Sequence, residues 1–181
     1  MENQKSPWRK KTSKQVYENS WISVHHDEVI TPTGTDGIYG TVKFKNKAIA
    51  IIPLDDENNT WLVGQYRYTL DEYSWEIPMG GGPVGEEILA TAKRELKEET
   101  GIEAKDWECI LRIHTSNCVT DEEGFVFVAK DLSFGETSFD STEDLQIKRV
   151  SVQEVLQMID EGKITDAITI AGILKLNAQL S

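Results

Sequence analysis

The sequence has little cysteine: two residues in 181, Cys109 and Cys118, not in a CxxC arrangement and with no His or Cys cluster beside them. That excludes a disulfide scaffold, disfavours a structural zinc centre, and fits a reducing cytoplasmic compartment. No apolar run approaches the ~18 residues of a membrane span, so no membrane partner is expected. Met1 to Lys14 is polar and basic with no apolar segment, so no secretory signal is expected there. Positive charge is also scarce: 19 Lys and Arg face 31 Asp and Glu, a net charge of −12. Such a surface repels a phosphate backbone, which argues against a nucleic-acid polymer as partner. It would equally repel a small phosphorylated ligand unless cations mediate the contact. No GxxxxGK[ST] and no GxSxG occurs, so P-loop and nucleophile-elbow chemistry lack their motifs.

The length favours one main domain plus a short extra one. Residues 1–14 read as a flexible tail. Residues 15–46 hold short alternating apolar runs separated by Pro32-Thr33-Gly34 and Asp36-Gly37, three strands of a small antiparallel sheet. Such a sheet is not stable alone and must pack on something. Residues 47–181 form the main domain. Ala48 to Leu54 is an unbroken apolar run of the buried-strand type, and Trp61–Tyr68 and Ser74–Pro78 are further extended pieces. Glu86 to Thr100 reads as a helix with two acidic residues in its first turn and Gly101 as its left-handed cap. Strands follow at Trp107–His114, Gly124–Ala129 and Ile147–Val150, with residues 131–144 as a loop, then helices at Ser151–Gly162 and Thr165–Ala178.

Glu95, Glu98 and Glu99 stand at i, i+3 and i+4 on the first helix, which places three carboxylates on one face. A solvated face balanced by Lys93, Arg94 and Lys97 would explain them. So would a hard-cation site, because carboxylates with carbonyl and water ligands suit Mg²⁺ or Mn²⁺, and these ions bridge to phosphates. The second reading also resolves how so acidic a protein could bind a diphosphate. Gly80 to Gly85 satisfies GxGxxG, but no βαβ series follows, so a dinucleotide-binding turn is disfavoured.

The segment Gly80 to Ile102, GGGPVGEEILATAKRELKEETGI, meets every position of GX5EX7REUXEEXGU, with U aliphatic. It resembles the Nudix box in full. The resemblance implies an α+β fold: a Nudix-type α/β/α sandwich with a mixed sheet, here preceded by the small antiparallel subdomain. It implies hydrolysis of a nucleoside diphosphate linked to another group, with Mg²⁺ (or Mn²⁺) as cofactor. By resemblance, Glu95 and Glu99 are metal ligands, Glu98 ligates directly or through water, and the Met79 carbonyl is a backbone ligand. Gly80 and Gly101 serve backbone geometry, and Arg94 and Glu86 form an orienting pair between helix and loop.

Further segments resemble the ADP-ribose pyrophosphatase and nucleoside-diphosphate-sugar branch. Gln65-Tyr66-Arg67 is similar to a segment whose Arg contacts substrate phosphates, and Trp75-Glu76-Ile77-Pro78 to one whose Glu lies near substrate. Ile164-Thr165-Asp166 is similar to the entry of that branch's last helix. Trp21 sits where the branch carries an aromatic that stacks on the base, although packing within the small sheet would also explain it. The loop Ser116–Glu123 aligns with one that presents a catalytic Glu: Glu122 by the better spacing, Glu123 or box residue Glu98 otherwise. Asn117 stands where ADP-ribose enzymes carry Pro, which leaves other nucleoside diphosphate sugars open. The resemblance, together with the small sheet's need for a packing partner, also implies a homodimer, and the cysteine usage a cytoplasmic one. Alternatives are hydrolysis of another nucleotide, such as a nucleoside triphosphate or dinucleoside polyphosphate, and a non-catalytic Nudix-like binding module.

Overall fold

The computed structural model describes residues 5–137 and 145–180. The chain divides into two compact units. One comprises the residues up to Asn46 together with Ser116–Glu122, and the other Lys47–Thr115 with Glu123 onward.

The first unit is a sheet of order β1-β2-β3, with β1 Arg9–Glu18, β2 Ile22–Ile30 and β3 Asp36–Phe44, all antiparallel. Residues 9–14, expected as tail, are therefore strand. Every residue of β1 is exposed, so it carries none of the apolar alternation that marks a half-buried strand. Backbone pairing to β2 defines it, with side-chain contacts such as the Lys11–Asp36 ion pair.

The second unit is built on two sheets. One runs β7-β4-β9-β8, with β4 Asn46–Pro53, β7 Met79–Pro83, β8 Ile102–Ile113 and β9 Gly124–Phe134. β4 and β9 pair in parallel and β9 and β8 antiparallel, so this sheet is mixed. The other runs β10-β5-β6, with β5 Asn59–Arg67, β6 Glu72–Glu76 and β10 Gln146–Ser151. Burial on both faces explains the unbroken apolar run of β4. Ile49 and Ile51 face one cluster with Phe127, Ala92 and Leu96. Ala50 and Ile52 face another with Val126, Leu62, Val155, Ile168 and Ile173. The first cluster is closed by α1 Ile88–Thr100, the second by α2 Val152–Asp160 and α3 Ala167–Leu180. Helices on both sides of a mixed sheet make the expected sandwich.

Boundaries moved for local reasons. Glu87 does not lie in the first turn of α1: its carboxylate caps the helix, accepting from the Leu89 and Ala90 N–H groups at 3.1 and 2.8 Å. α3 starts at Ala167 because the Asp166 carboxylate accepts from the Thr169 N–H at 2.7 Å. Gly101 caps α1 at φ 69° as expected, and a Cβ there would meet the Gly135 carbonyl at 2.6 Å. β9 runs on to Phe134, into the segment expected as loop; residues 138–144 of that segment lie outside the described residues.

Candidate functional site

The glycine run at residues 80–82 forms β7, beside β4. Its lack of side chains lets α1 approach: a Cβ on Gly80 would fall 2.1 Å from the Glu95 carboxyl carbon. The Glu95 carboxylate is thus seated directly on the Gly80 backbone. One turn further along α1, Glu99 is 2% exposed and accepts from the Met79 N–H at 3.0 Å. Two box carboxylates and the Met79–Gly80 backbone are therefore in contact. The segment leading in is fixed from the other side by Thr169 of α3, whose hydroxyl accepts from the Ile77 N–H at 3.1 Å. Thr169 carries no sequence signal: a buried Thr in an apolar helix reads as core.

Arg94 does not pair with Glu86. It reaches Glu95 at 2.8 Å and Glu98 at 2.9 Å, and donates to the Gly81 carbonyl at 3.4 Å. The Glu98 contact is an i, i+4 pair along α1, shorter in reach than the expected bridge to the loop. Partial burial works against the Arg94 charge, but Glu95 and Glu98 outweigh it, so its pKa moves up. Glu98 is the most exposed of the three box carboxylates for which side-chain contacts with Arg94 or Met79 are described.

Arg67 and Glu76, both expected at substrate, bind each other. Strand pairing sets Gln65 opposite Ser74, so residues 63, 65 and 67 share a sheet face with 72, 74 and 76. The guanidinium runs back along that face and clamps the carboxylate with two bonds, Nε to Oε1 at 2.8 Å and Nη2 to Oε2. Glu76 is buried and Arg67 about one-third exposed. The Glu76 bonds, and next to them the charges of Asp166 and Glu99, raise the Arg67 pKa against its burial. Arg67, Ser74, Glu76, Thr165 and Asp166 line a cavity of about 360 Å³. The β5–β6 hairpin and the entry of α3, far apart in sequence, are thus brought together, with Arg67 within electrostatic reach of box residue Glu99.

The side chains that meet the Met79–Gly80 backbone are the carboxylates of Glu95 and Glu99, oxygen donors of the kind a hard cation takes. Among the described residues, no three His, Cys, Asp or Glu side chains form a ready-made cage, since Glu95 and Glu98 are turned to Arg94. Mg²⁺ is held by one or two carboxylates and retains waters, so a partial donor set of this kind fits it.

Of the three candidates for the base, Glu98 is held by Arg94 on α1, and the two in the loop fall in different units. Glu123 is tied to Arg112 at 2.5 Å and to Lys47 at 3.2 Å. Hydrogen bonds from Arg112 and then Lys47 hold its carboxyl below the ordinary value. A carboxylate so paired is a poor proton acceptor. Glu122 falls in the first unit with the rest of its loop. Trp21, also in the first unit, is 66% exposed, so packing of the small sheet does not account for it.

Comparison with known proteins gives a consistent result. The NUDIX domain model matches residues 44–171, and the nucleoside diphosphate sugar hydrolase N-terminal domain model matches residues 8–42. A methanol dehydrogenase activator of Bacillus methanolicus is 33% identical over 169 residues, 92% of this chain and 91% of that protein. An ADP-ribose pyrophosphatase of Bacillus subtilis is 32% identical, covering 86% of this chain and 84% of its own. An ADP-ribose pyrophosphatase of Mycobacterium tuberculosis is 31% identical, covering 92% and 82%. A solved structure of an ADP compounds hydrolase superposes with a TM-score of 0.85 over 98% of this chain and 97% of its own, at 20% identity, a likeness of fold. With the full box on α1 and β7, a family model spanning most of the sequence and relatives above 30% identity along nearly its whole length, the chain belongs to the NUDIX domain family.

Proposed function

We propose that this protein hydrolyses the pyrophosphate bond of nucleoside diphosphate sugars such as ADP-ribose, with a divalent metal, giving nucleoside monophosphate and sugar phosphate. The observation that carries the reading is the convergence of Glu95 and Glu99 on the Met79–Gly80 backbone, with Arg67 electrostatically coupled to the same region. The matched N-terminal domain model and the names of the relatives support the sugar-linked substrate class.

Glu95, Glu99 and the Met79 carbonyl would hold Mg²⁺ or Mn²⁺, with Glu98 joining directly or through water. Such an ion supplies counter-charge to the diphosphate and makes water more acidic. Arg67 binds a phosphate oxygen, exchanging part of its Glu76 contact for it. Glu122, whose spacing in the loop best matches the family's catalytic Glu, accepts the proton of the attacking water. Trp21 stacks on the base. Arg94 holds Glu95 and Glu98 in register. A cytoplasmic homodimer completes the reading; among the described residues no helix is long and apolar enough to cross a membrane. Sedimentation as a single ~20 kDa species, against the mass of 20.4 kDa, would overturn the dimer.

The test is product analysis of ADP-ribose incubated with protein, with Mg²⁺ and with chelator. AMP and ribose 5-phosphate formed only with Mg²⁺ support the reading. Tight, metal-dependent binding of ADP-ribose without turnover would replace it with a binding module.

A further inference from the structure

The loop before Glu123 is built into the N-terminal sheet. Val42 of β3 donates to the Val119 carbonyl at 2.9 Å, Asp121 donates back to the Val42 carbonyl at 3.3 Å, and Val42 pairs with Thr120 as a parallel bridge. The loop thus adds a one-residue strand to the edge of β3. Two side-chain bonds reinforce it: the Tyr39 hydroxyl donates to the Cys118 carbonyl at 2.6 Å, and the Asp121 carboxylate accepts from the Phe44 N–H at 2.9 Å.

Packing contributes little to holding this loop. Val119 is 41% exposed. A cavity of about 170 Å³ lies between loop and sheet, lined by Asp27, Tyr39, Thr41, Val119 and Asp121. Asp27 Oδ1 and Thr41 Oγ1 are buried without a hydrogen-bond partner among the described residues. Hydrogen bonds therefore set the loop's position, and Asp121, the residue bound through both N–H and carboxylate, immediately precedes Glu122.

We propose that the N-terminal sheet positions the loop for catalysis, with Tyr39 and Asp121 as the positioning residues that set where Glu122 acts. This rests on the reading of Glu122 as the base. It gives the small sheet a role in turnover besides any part in assembly or substrate contact.

The test uses the full chain with three substitutions in the contact between loop and sheet and one outside it. Tyr39→Phe removes only the donor. Asp121→Ala removes the acceptor, and Asp121→Asn keeps an oxygen in its place. Lys11→Gln perturbs an exposed ion pair of the same sheet and serves as control. Two quantities are read: hydrogen exchange of the Asp121 amide, and kcat and KM on ADP-ribose. Losing one such bond should speed exchange about fivefold. Misplacing the base should lower kcat about tenfold with KM unchanged. Asp121→Asn should restore most of both, and Lys11→Gln should change neither. Unchanged exchange in Tyr39→Phe, or faster exchange with normal kcat, would overturn the positioning role while Glu122→Gln remains impaired. Glu122→Gln turning over at the wild-type single-turnover rate would instead overturn the base assignment, and the positioning role with it.

Discussion

Arg67→Ala is the most informative single perturbation, because it separates the cost of the Arg67–Glu76 pair from its use. In the wild type a guanidinium 36% exposed clamps a carboxylate 4% exposed. Removing the Arg leaves a buried carboxylate without its charge partner. Breaking a fully buried pair costs about 3–5 kcal/mol, and screening at the more exposed Arg end lowers that here to about 2–3 kcal/mol. For a chain of this size the loss corresponds to a fall in Tm of about 4–12 °C. Glu76→Gln should cost less, about 1 kcal/mol, since the released guanidinium can hydrate and an amide oxygen still accepts. The double substitution should then be more stable than the sum of the singles, with a coupling of 1 kcal/mol or more by order of magnitude. Thermal and urea unfolding of the four proteins measure this. The same proteins report function: Arg67→Ala should raise KM for ADP-ribose, and Glu76→Gln, which frees the guanidinium for phosphate, should not. An Arg67→Ala protein within about 0.5 kcal/mol of wild type, or strict additivity in the cycle, would refute the reasoning.

Gly80→Ala should fold but lose about tenfold or more in metal affinity, because the added methyl takes the place of the Glu95 carboxylate; titration with Mn²⁺ followed by paramagnetic relaxation measures it. Glu99→Gln keeps an oxygen to accept from Met79 N–H, so its Tm should hold while kcat falls about 100-fold; near-normal turnover at saturating Mg²⁺ would remove Glu99 from the metal set. Glu123 has a carboxyl pKa lowered from 4.5 by Arg112 and Lys47, so its ion pairs stabilise fully above that value and are lost as pH falls through the lowered one. Glu123→Gln should therefore flatten the acid side of the stability profile below about pH 4.5 and leave the pH–rate profile near neutrality unchanged, as unfolding and kinetic titrations will show.

Much of the site could be read from the chain because it is local. The three carboxylates and the Gly101 cap depend on spacing along one helix, and helical geometry alone puts the carboxylates on one face. The Arg94–Glu98 pair is equally local, an i, i+4 neighbour, whereas the box pattern points to Glu86. What could not be read depends on register or on side chains that are absent. The Arg67–Glu76 clamp exists because Gln65 falls opposite Ser74, a pairing that no single strand announces. β7 is a strand made largely of glycine, disfavoured by propensity and held because α1 needs that backbone within reach of Glu95. β1 was hidden by its uniform exposure, since a strand with no buried face has no alternation to detect. The assignment of the Glu122 loop to the N-terminal sheet joins residues nearly eighty positions apart, in part through backbone bonds, which leave no trace in residue type.

The most direct measurement of the central claim is a turnover panel on the purified full chain, with and without Mg²⁺. ADP-ribose, ADP-glucose, GDP-mannose, UDP-glucose and a nucleoside triphosphate would be compared, with monophosphate products resolved by chromatography. A metal-dependent nucleoside diphosphate sugar hydrolase will release monophosphate from one or more of the sugars only when Mg²⁺ is present, and faster than from the triphosphate. Turnover of the triphosphate alone, or release from the sugars that persists in chelator, would contradict it.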